Sequence, residues 1–96
     1  MRLGKFHKSP NEKKRYNIEY EEWLDTGETV SAVTFTITPT TSPALTVTDN
    51  IITGGDTLAF FVAGGNDGET YKVIVKATTN GGQIKEDYIT FVVSST

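Results

Sequence analysis

Alternation of apolar and polar residues with a period of two is the most regular feature of the chain. This period is typical of a β-strand that buries one of its two faces. No stretch carries an apolar stripe with the spacing of a helix. The pattern therefore predicts about seven short strands, centred on residues 16–20, 33–37, 45–47, 51–52, 58–62, 71–77 and 89–93.

The segments between these runs have the composition of turns. Glycine, asparagine and aspartate cluster at residues 25–27, 54–56, 64–68 and 80–82, and these residues favour tight connections between strands. Glu21 and Glu22 interrupt the first run, so we expect a bulge or a switch between sheets to return Trp23 or Leu24 to the core. Short strands at regular spacing, separated by turns, predict an all-β sandwich or a small barrel.

One local pattern favours an immunoglobulin-like sandwich over a barrel. Asp67 lies four residues before Tyr71, and Val73 and Val75 continue the same face. In immunoglobulin-like folds a tyrosine at this corner bonds through its hydroxyl to nearby backbone. We therefore predict a structural corner at Asp67 and Tyr71, in an immunoglobulin-like sandwich of about seven antiparallel strands without the inter-sheet disulfide, because the chain has no cysteine.

Charge is distributed unevenly along the 96 residues. Residues 1–15 hold six cations and one acid, whereas residues 16–96 hold three cations and eleven acids. We expect residues 1–14 to form a basic, flexible N-terminal arm and residues 15–96 to form one domain. The acidic domain argues against broad nucleic-acid binding. The alternatives for the arm are a solvated terminus and a docking segment, whose interface cations would be Arg2, Lys5, Lys8, Lys13, Lys14 and Arg15.

Catalytic and metal-binding chemistry is not indicated. The one histidine, His7, lies in the basic arm, and a nucleophile or a zinc ion would need further partners. Neighbouring carboxylates at 21–22 and 86–87 point to opposite faces of a strand. Asp49, Asp56 and Asp67 lie in separate loops and lack a calcium-loop spacing. We expect no catalytic residue, no cofactor, no metal and no small-molecule substrate, and no apolar run is long enough for a membrane span.

Two aromatic residues are out of phase with their strands. Phe61 alternates with Phe60 and Val62, and Tyr88 precedes the inward run that starts at Ile89. Both should face outward, where an aromatic residue serves as an interface contact or a sugar-stacking surface, or lies half-buried under a loop. We take both as candidate interface residues.

Five segments resemble a family of small proteins of tailed bacteriophages, the phage fiber-tail adaptors. They are residues 6–10, 16–24, 64–71, 78–83 and 89–91, with Trp-Leu at 23–24 and the pattern GGxxGxxY at 64–71 as the most specific parts. The resemblance implies a non-enzymatic virion protein that holds neighbours together in the neck or tail. It also implies portal, neck or tail partners, with further copies of the chain among the options, and residence in the virion after assembly in the host cytoplasm. The alternative is an immunoglobulin-like surface module that binds glycan or protein.

Overall fold

The computed structural model describes residues 2–95 and contains seven strands in that range. A four-stranded sheet has the order β1-β7-β6-β3, and a three-stranded sheet has the order β2-β5-β4. No helix occurs between residues 2 and 95. The strands are β1 (Arg2–Lys8), β2 (Lys13–Glu19), β3 (Val30–Thr38), β4 (Leu45–Thr53), β5 (Thr57–Gly64), β6 (Thr70–Thr79) and β7 (Ile84–Val93).

The predicted all-β sandwich is confirmed, and its strand order is immunoglobulin-like. Strands β2, β5 and β4 occupy the places of strands B, E and D, while β3, β6 and β7 occupy those of C, F and G. Six of the strands pair antiparallel. The exception is β1, which pairs in parallel with β7, so the expectation of antiparallel strands throughout needs this correction.

The basic N-terminal segment is part of the sandwich, contrary to the expectation of a separate arm. Arg2–Lys8 forms β1 and pairs with β7 from Tyr88 to Val93. Lys13 and Lys14 then begin β2, so a domain boundary at residue 15 would cut that strand. The segment pairs because β7 would otherwise expose unpaired backbone groups along its edge.

The core lies between the two sheets and is built from alternate residues of each strand. Leu58, Phe60 and Val62 of β5 are fully buried, as are the alternate residues of β6 that face them. Burying such side chains contributes about 1.5–3 kcal/mol each. Further rings from the sheet edges close the core at one side, where Phe6 and Phe91 both contact Tyr16.

A bulge in β4 decides which of two neighbouring isoleucines is buried. Thr48 pairs with Phe61 and Ile51 pairs with Ala59, so β4 has one residue more than β5 in this interval. Asp49 takes a positive φ of 55° at the bulge, which is a conformation that aspartate tolerates. The extra residue points Ile52 toward the core and leaves Ile51 61% exposed.

The predicted bulge near Glu21 and Glu22 is a turn beyond the end of β2. The amides of Trp23 and Leu24 both donate to the carbonyl of Tyr20, at 2.9 and 3.0 Å. The turn lays Trp23 and Leu24 against one end of the core, where both are half-buried. These two residues therefore contact the core through a loop and not through a strand.

Candidate interaction surfaces

The corner at Tyr71 has the predicted hydrogen bond to backbone. The amide of Asn66 donates to the Tyr71 hydroxyl at 2.7 Å. Thr41 donates to the carbonyl of Pro43, which leaves its hydroxyl oxygen to accept from Tyr71 at 2.6 Å. A fully buried phenol thus joins the loop after β3 to the loop after β5.

Asp67, the other residue of the predicted corner, bonds to the segment that follows β7. Its carboxylate accepts hydrogen bonds from the amide and the hydroxyl of Ser95, at 2.8 and 2.6 Å. These bonds from Ser95 lower the pKa of Asp67. Asp67 therefore fixes the segment that follows β7, while Tyr71 fixes the loops.

Glycine is required in the turn before β6 because the backbone passes close to other groups. Gly64 and Gly65 both have positive φ, at 75° and 99°. A Cβ on Gly64 would lie 2.7 Å from the carbonyl oxygen of Ala44, and one on Gly65 would lie 2.9 Å from Val93. The first two glycines of the GGxxGxxY pattern thus let the loops pack at this end of the sandwich.

At the opposite end, side chains join the loop 20–29 to the turn between β6 and β7. The Glu28 carboxylate accepts a hydrogen bond from the hydroxyl of Thr79 at 2.9 Å and one from the side-chain amide of Gln83 at 3.0 Å. The same Gln83 amide also donates to Asp25 at 2.9 Å. Gly81 leaves room for this arrangement, since a Cβ there would collide with the Glu28 carboxylate. The motif at 78–83 therefore holds the position of an otherwise irregular loop.

Five of the six cations proposed for the arm lie on different parts of the surface, and the sixth is buried. Lys8 is only 4% exposed, because its position in β1 points inward opposite Val93. Its ammonium group donates to the carbonyls of Ser9 and Gly64, and burial lowers the pKa of Lys8. Lys8 is therefore a structural residue, and its prediction as an interface cation is wrong.

The outer surface of the four-stranded sheet is positively charged. Lys72 and Lys76 of β6 alternate with buried residues, and Arg2 and Lys5 lie across β7 from them. We call this surface the basic face and define it by these four cations. Tyr88 lies at its centre, opposite both Arg2 and Ile74, and Lys72 Nζ is 4.4 Å from the centroid of its ring.

The outer surface of the three-stranded sheet has an apolar centre. Phe61 is opposite Arg15 on β2 and Thr48 on β4, so it points away from the core as predicted. The exposed Ile51 lies one pair along, beside Ala59. We call this surface the Phe61 face.

Two cations of the N-terminal segment lie near this face or at the sandwich edge. Lys13 lies at one margin of the Phe61 face, 5.0 Å from the Phe61 ring centroid and 3.7 Å from the carboxylate of Asp49. Lys14 is exposed near Tyr16 at the sandwich edge.

Carboxylates gather at the end of the sandwich that carries the loop 20–29. Two adjoining depressions there are lined by acidic residues from β2, this loop and the turn before β5. We call this region the acidic end, and its residues are Glu19, Glu21, Glu22, Asp25, Glu28 and Asp56. Asp87 lies apart from them, points inward from β7, is 3% exposed and lies 3.4 Å from Lys85.

The described residues form no cluster that could hold a metal ion. His7 is exposed on β1, and no group of three or more potential metal ligands occurs within residues 2–95. The same range contains no helix able to cross a membrane. Phe61 and Tyr88 lie on opposite outer surfaces, so they cannot form one platform for a sugar.

Comparison with known families identifies the group to which this sandwich belongs. The family model described as podophage GP4 fiber-tail adaptor protein gp77 matches residues 8–92, from the end of β1 almost to the end of β7. The chain belongs to this fiber-tail adaptor family. The suspected resemblance is thereby confirmed, and the family is one of phage structural adaptors, which implies a non-enzymatic role in the virion.

Other comparisons bear on the fold alone. No curated protein matches the sequence. Among solved structures, the fold is similar to part of the 2,6-sialyltransferase of Photobacterium sp. JT-ISH-224, crystallised with CMP and lactose, with a TM-score of 0.52 and 13% identity. The match covers 99% of the adaptor chain, which spans only 18% of the length of that enzyme. At this identity the similarity concerns the sandwich and not the chemistry.

Proposed function

We propose that this adaptor is a non-enzymatic virion protein that joins neighbouring proteins in the neck or tail region of the particle. The observation that carries the proposal is the family match, which extends over 8–92 and so includes both sheets. The whole sandwich, and not an appended segment, is therefore the unit that would make the contacts. Its partners would be portal, neck or tail components, met during assembly in the host cytoplasm.

The two outer surfaces suit a protein that must contact more than one neighbour. The basic face and the Phe61 face point in opposite directions because they belong to different sheets. Each combines an aromatic ring with nearby cations, and aromatic and arginine side chains are enriched in protein interfaces. Two independent surfaces of this composition allow the domain to lie between two partners.

Deleting the gene from a phage that encodes this chain tests the proposal. We expect the deletion particles to lack tail fibres or neck components in cryo-electron micrographs, and to regain them when the wild-type chain is supplied from a plasmid. Mass spectrometry of purified wild-type particles should detect the chain. Deletion particles of unchanged composition and infectivity, or mature particles without the chain, would show that the proposal is wrong.

A matched pair of plasmid variants separates contact from folding. Phe61→Glu places a charge at the centre of the Phe61 face, whereas Thr40→Glu places one in the loop after β3, outside both sheets, where Thr40 is exposed. We expect Phe61→Glu to fold but to restore particles poorly, and Thr40→Glu to restore them as well as the wild type. Equal restoration by both variants would remove the Phe61 face from the proposal.

A further inference from the structure

We infer that the basic face binds the acidic end of a second copy of this chain. The two regions carry opposite charge: the basic face has four cations and one carboxylate, Glu86, whereas the acidic end has six carboxylates. Complementary potentials of this kind orient encounter and fix the register of a contact. The inference goes beyond the proposed function, which requires only contact with other virion proteins.

Among the described residues, no ion pair joins a charge of either set to another charge of the same chain. Among residues 2–95 the ion pairs join Lys13 to Asp49 and Lys85 to Asp87, so none of them involves the basic face or the acidic end. Exposed charges cost little in water, but like charges held close together repel. A partner of opposite charge would relieve that repulsion in both regions at once.

The acidic end cannot turn back onto the basic face of its own chain. The loop 20–29 is held to the turn after β6 by the hydrogen bonds of Glu28, Asp25 and Gln83. The amide of Thr29 adds a bond of 3.1 Å to the side chain of Asn80. Both regions are thus fixed on one rigid sandwich 44 Å long, and the contact has to be made between molecules.

The basic face offers more than charge to such a partner. Tyr88 and Ile74 form an apolar centre between the cations, opposite each other on β7 and β6. At the acidic end Leu24 is half-buried and lines the same depression as four of the carboxylates. A contact that buries this apolar surface inside a ring of ion pairs has the usual composition of a protein interface.

The geometry of the contact predicts how the copies assemble. An end that binds a face uses two different surfaces, so after the first contact one copy keeps a free acidic end and the other keeps a free basic face. Association should therefore continue beyond the dimer, either closing into a ring or growing as an open chain. Two-fold symmetric pairing through a single shared surface would stop at the dimer.

Sedimentation velocity on the purified chain tests the inference. At low ionic strength we expect species larger than a dimer to grow with concentration, and we expect about 1 M salt, where the Debye length falls to about 3 Å, to abolish them. The basic-face double variant Lys72→Glu/Lys76→Glu and the acidic-end double variant Glu21→Lys/Glu22→Lys should each weaken association about tenfold or more.

Mixing the two variants provides the decisive comparison. The unchanged acidic end of the first variant complements the unchanged basic face of the second, and the two reversed surfaces complement each other. An equimolar mixture should associate more strongly than either variant alone. The control Lys14→Glu/Arg15→Glu changes the net charge as much as the basic-face variant but lies on β2, and it should associate like the wild type. A wild type that stays monomeric, a control that fails equally, or a mixture without recovery would overturn the inference. Binding of duplex DNA through Lys72 and Lys76 without self-association would also overturn it.

Discussion

The backbone amide of Asn66 and the hydroxyl of Tyr71 are joined by a hydrogen bond of 2.7 Å in a place that water does not reach. The phenol O–H donates a hydrogen bond to the hydroxyl oxygen of Thr41, so one side chain satisfies polar groups from two loops. A buried polar group left without a partner costs about 1–3 kcal/mol. Tyr71 therefore fills part of the core and also supplies the hydrogen bonds that the two loops around it require.

Substituting the corner tyrosine should reveal that requirement. Tyr71→Phe keeps the ring in the core but leaves the Asn66 amide unpaired, so we expect the free energy of unfolding to fall by about 1–3 kcal/mol. Urea denaturation followed by circular dichroism measures the change. Tyr88→Phe is the matched control, because Tyr88 lies half-buried on the outer surface and forms no hydrogen bond in the described structure. Equal stability of the two variants would contradict the role assigned to the corner.

Neighbouring phenylalanines in β5 test the strand parity. Phe60 is fully buried and faces Phe35 at a centroid distance of 5.2 Å, whereas Phe61 lies on the outer surface. We expect Phe60→Ala to cost about 3–5 kcal/mol, since it opens a cavity in the core. Phe61→Ala should cost much less, and thermal unfolding of both variants would show the difference. A larger loss in Phe61→Ala would mean that the register of β5 is shifted by one residue.

Tyr20 should make the fold sensitive to alkali. Desolvation, with a smaller contribution from Asp87, raises the pKa of Tyr20 to about 12 from an unfolded value near 10. Because the folded pKa is the higher one, the unfolded chain ionises first as the pH rises. The free energy of unfolding is therefore unaffected by this group below pH 10 and falls as the pH rises toward 12. A pKa difference of two units corresponds to a loss of at most about 3 kcal/mol in the free energy of unfolding.

The measurement compares stability at pH 7 and across the range from pH 10 to 12. We expect Tyr20→Phe to be at least as stable as the wild type at pH 7, because the buried Tyr20 hydroxyl has no hydrogen-bond partner in the described structure. Its alkaline transition should lie at higher pH than that of the wild type. If Tyr20→Phe and the wild type unfold at the same alkaline pH, another group controls the transition.

Glu28 should control the mobility of the loop 20–29. Glu28→Ala removes the acceptor for Thr79 and Gln83, so we expect amides in this loop and in the turn 80–83 to exchange hydrogen faster. Hydrogen–deuterium exchange with mass spectrometry resolves both segments. Glu22→Ala, an exposed carboxylate of the same loop without a side-chain hydrogen bond, should leave exchange unchanged. Faster exchange in both variants would point to charge instead of hydrogen bonding.

The sequence predicted the fold well where a local pattern carried the information. Alternation identified β5 and β6 with the correct buried faces, and the spacing of Asp67 and Tyr71 indicated the corner. The pairing of β1 was not predictable in this way, because its residues alternate weakly and its partners on β7 are 85 or more positions away in the chain. The burial of Lys8 was not predicted for the same reason, because only tertiary contacts can bury a charged residue.

The surfaces were only partly predictable. The outward direction of Phe61 and Tyr88 followed from strand parity alone. The basic face did not, because it combines Arg2 and Lys5 with Lys72 and Lys76 from a distant strand. The exposure of Ile51 depends on a bulge that no residue pattern specified, because Asp49 and Asn50 are equally compatible with a break between two strands.

The parallel pairing of β1 with β7 also determines how this domain would bear mechanical load. Tension applied at Arg2 and at Ser95 pulls the two strands along their lengths in opposite directions, because both run the same way. The β1–β7 hydrogen bonds would then be sheared together instead of opening one after another. Single-molecule force spectroscopy should find a higher unfolding force for this pulling direction than for one that peels β1 away from its neighbour. A domain of this topology can transmit a pull between its two ends without unravelling.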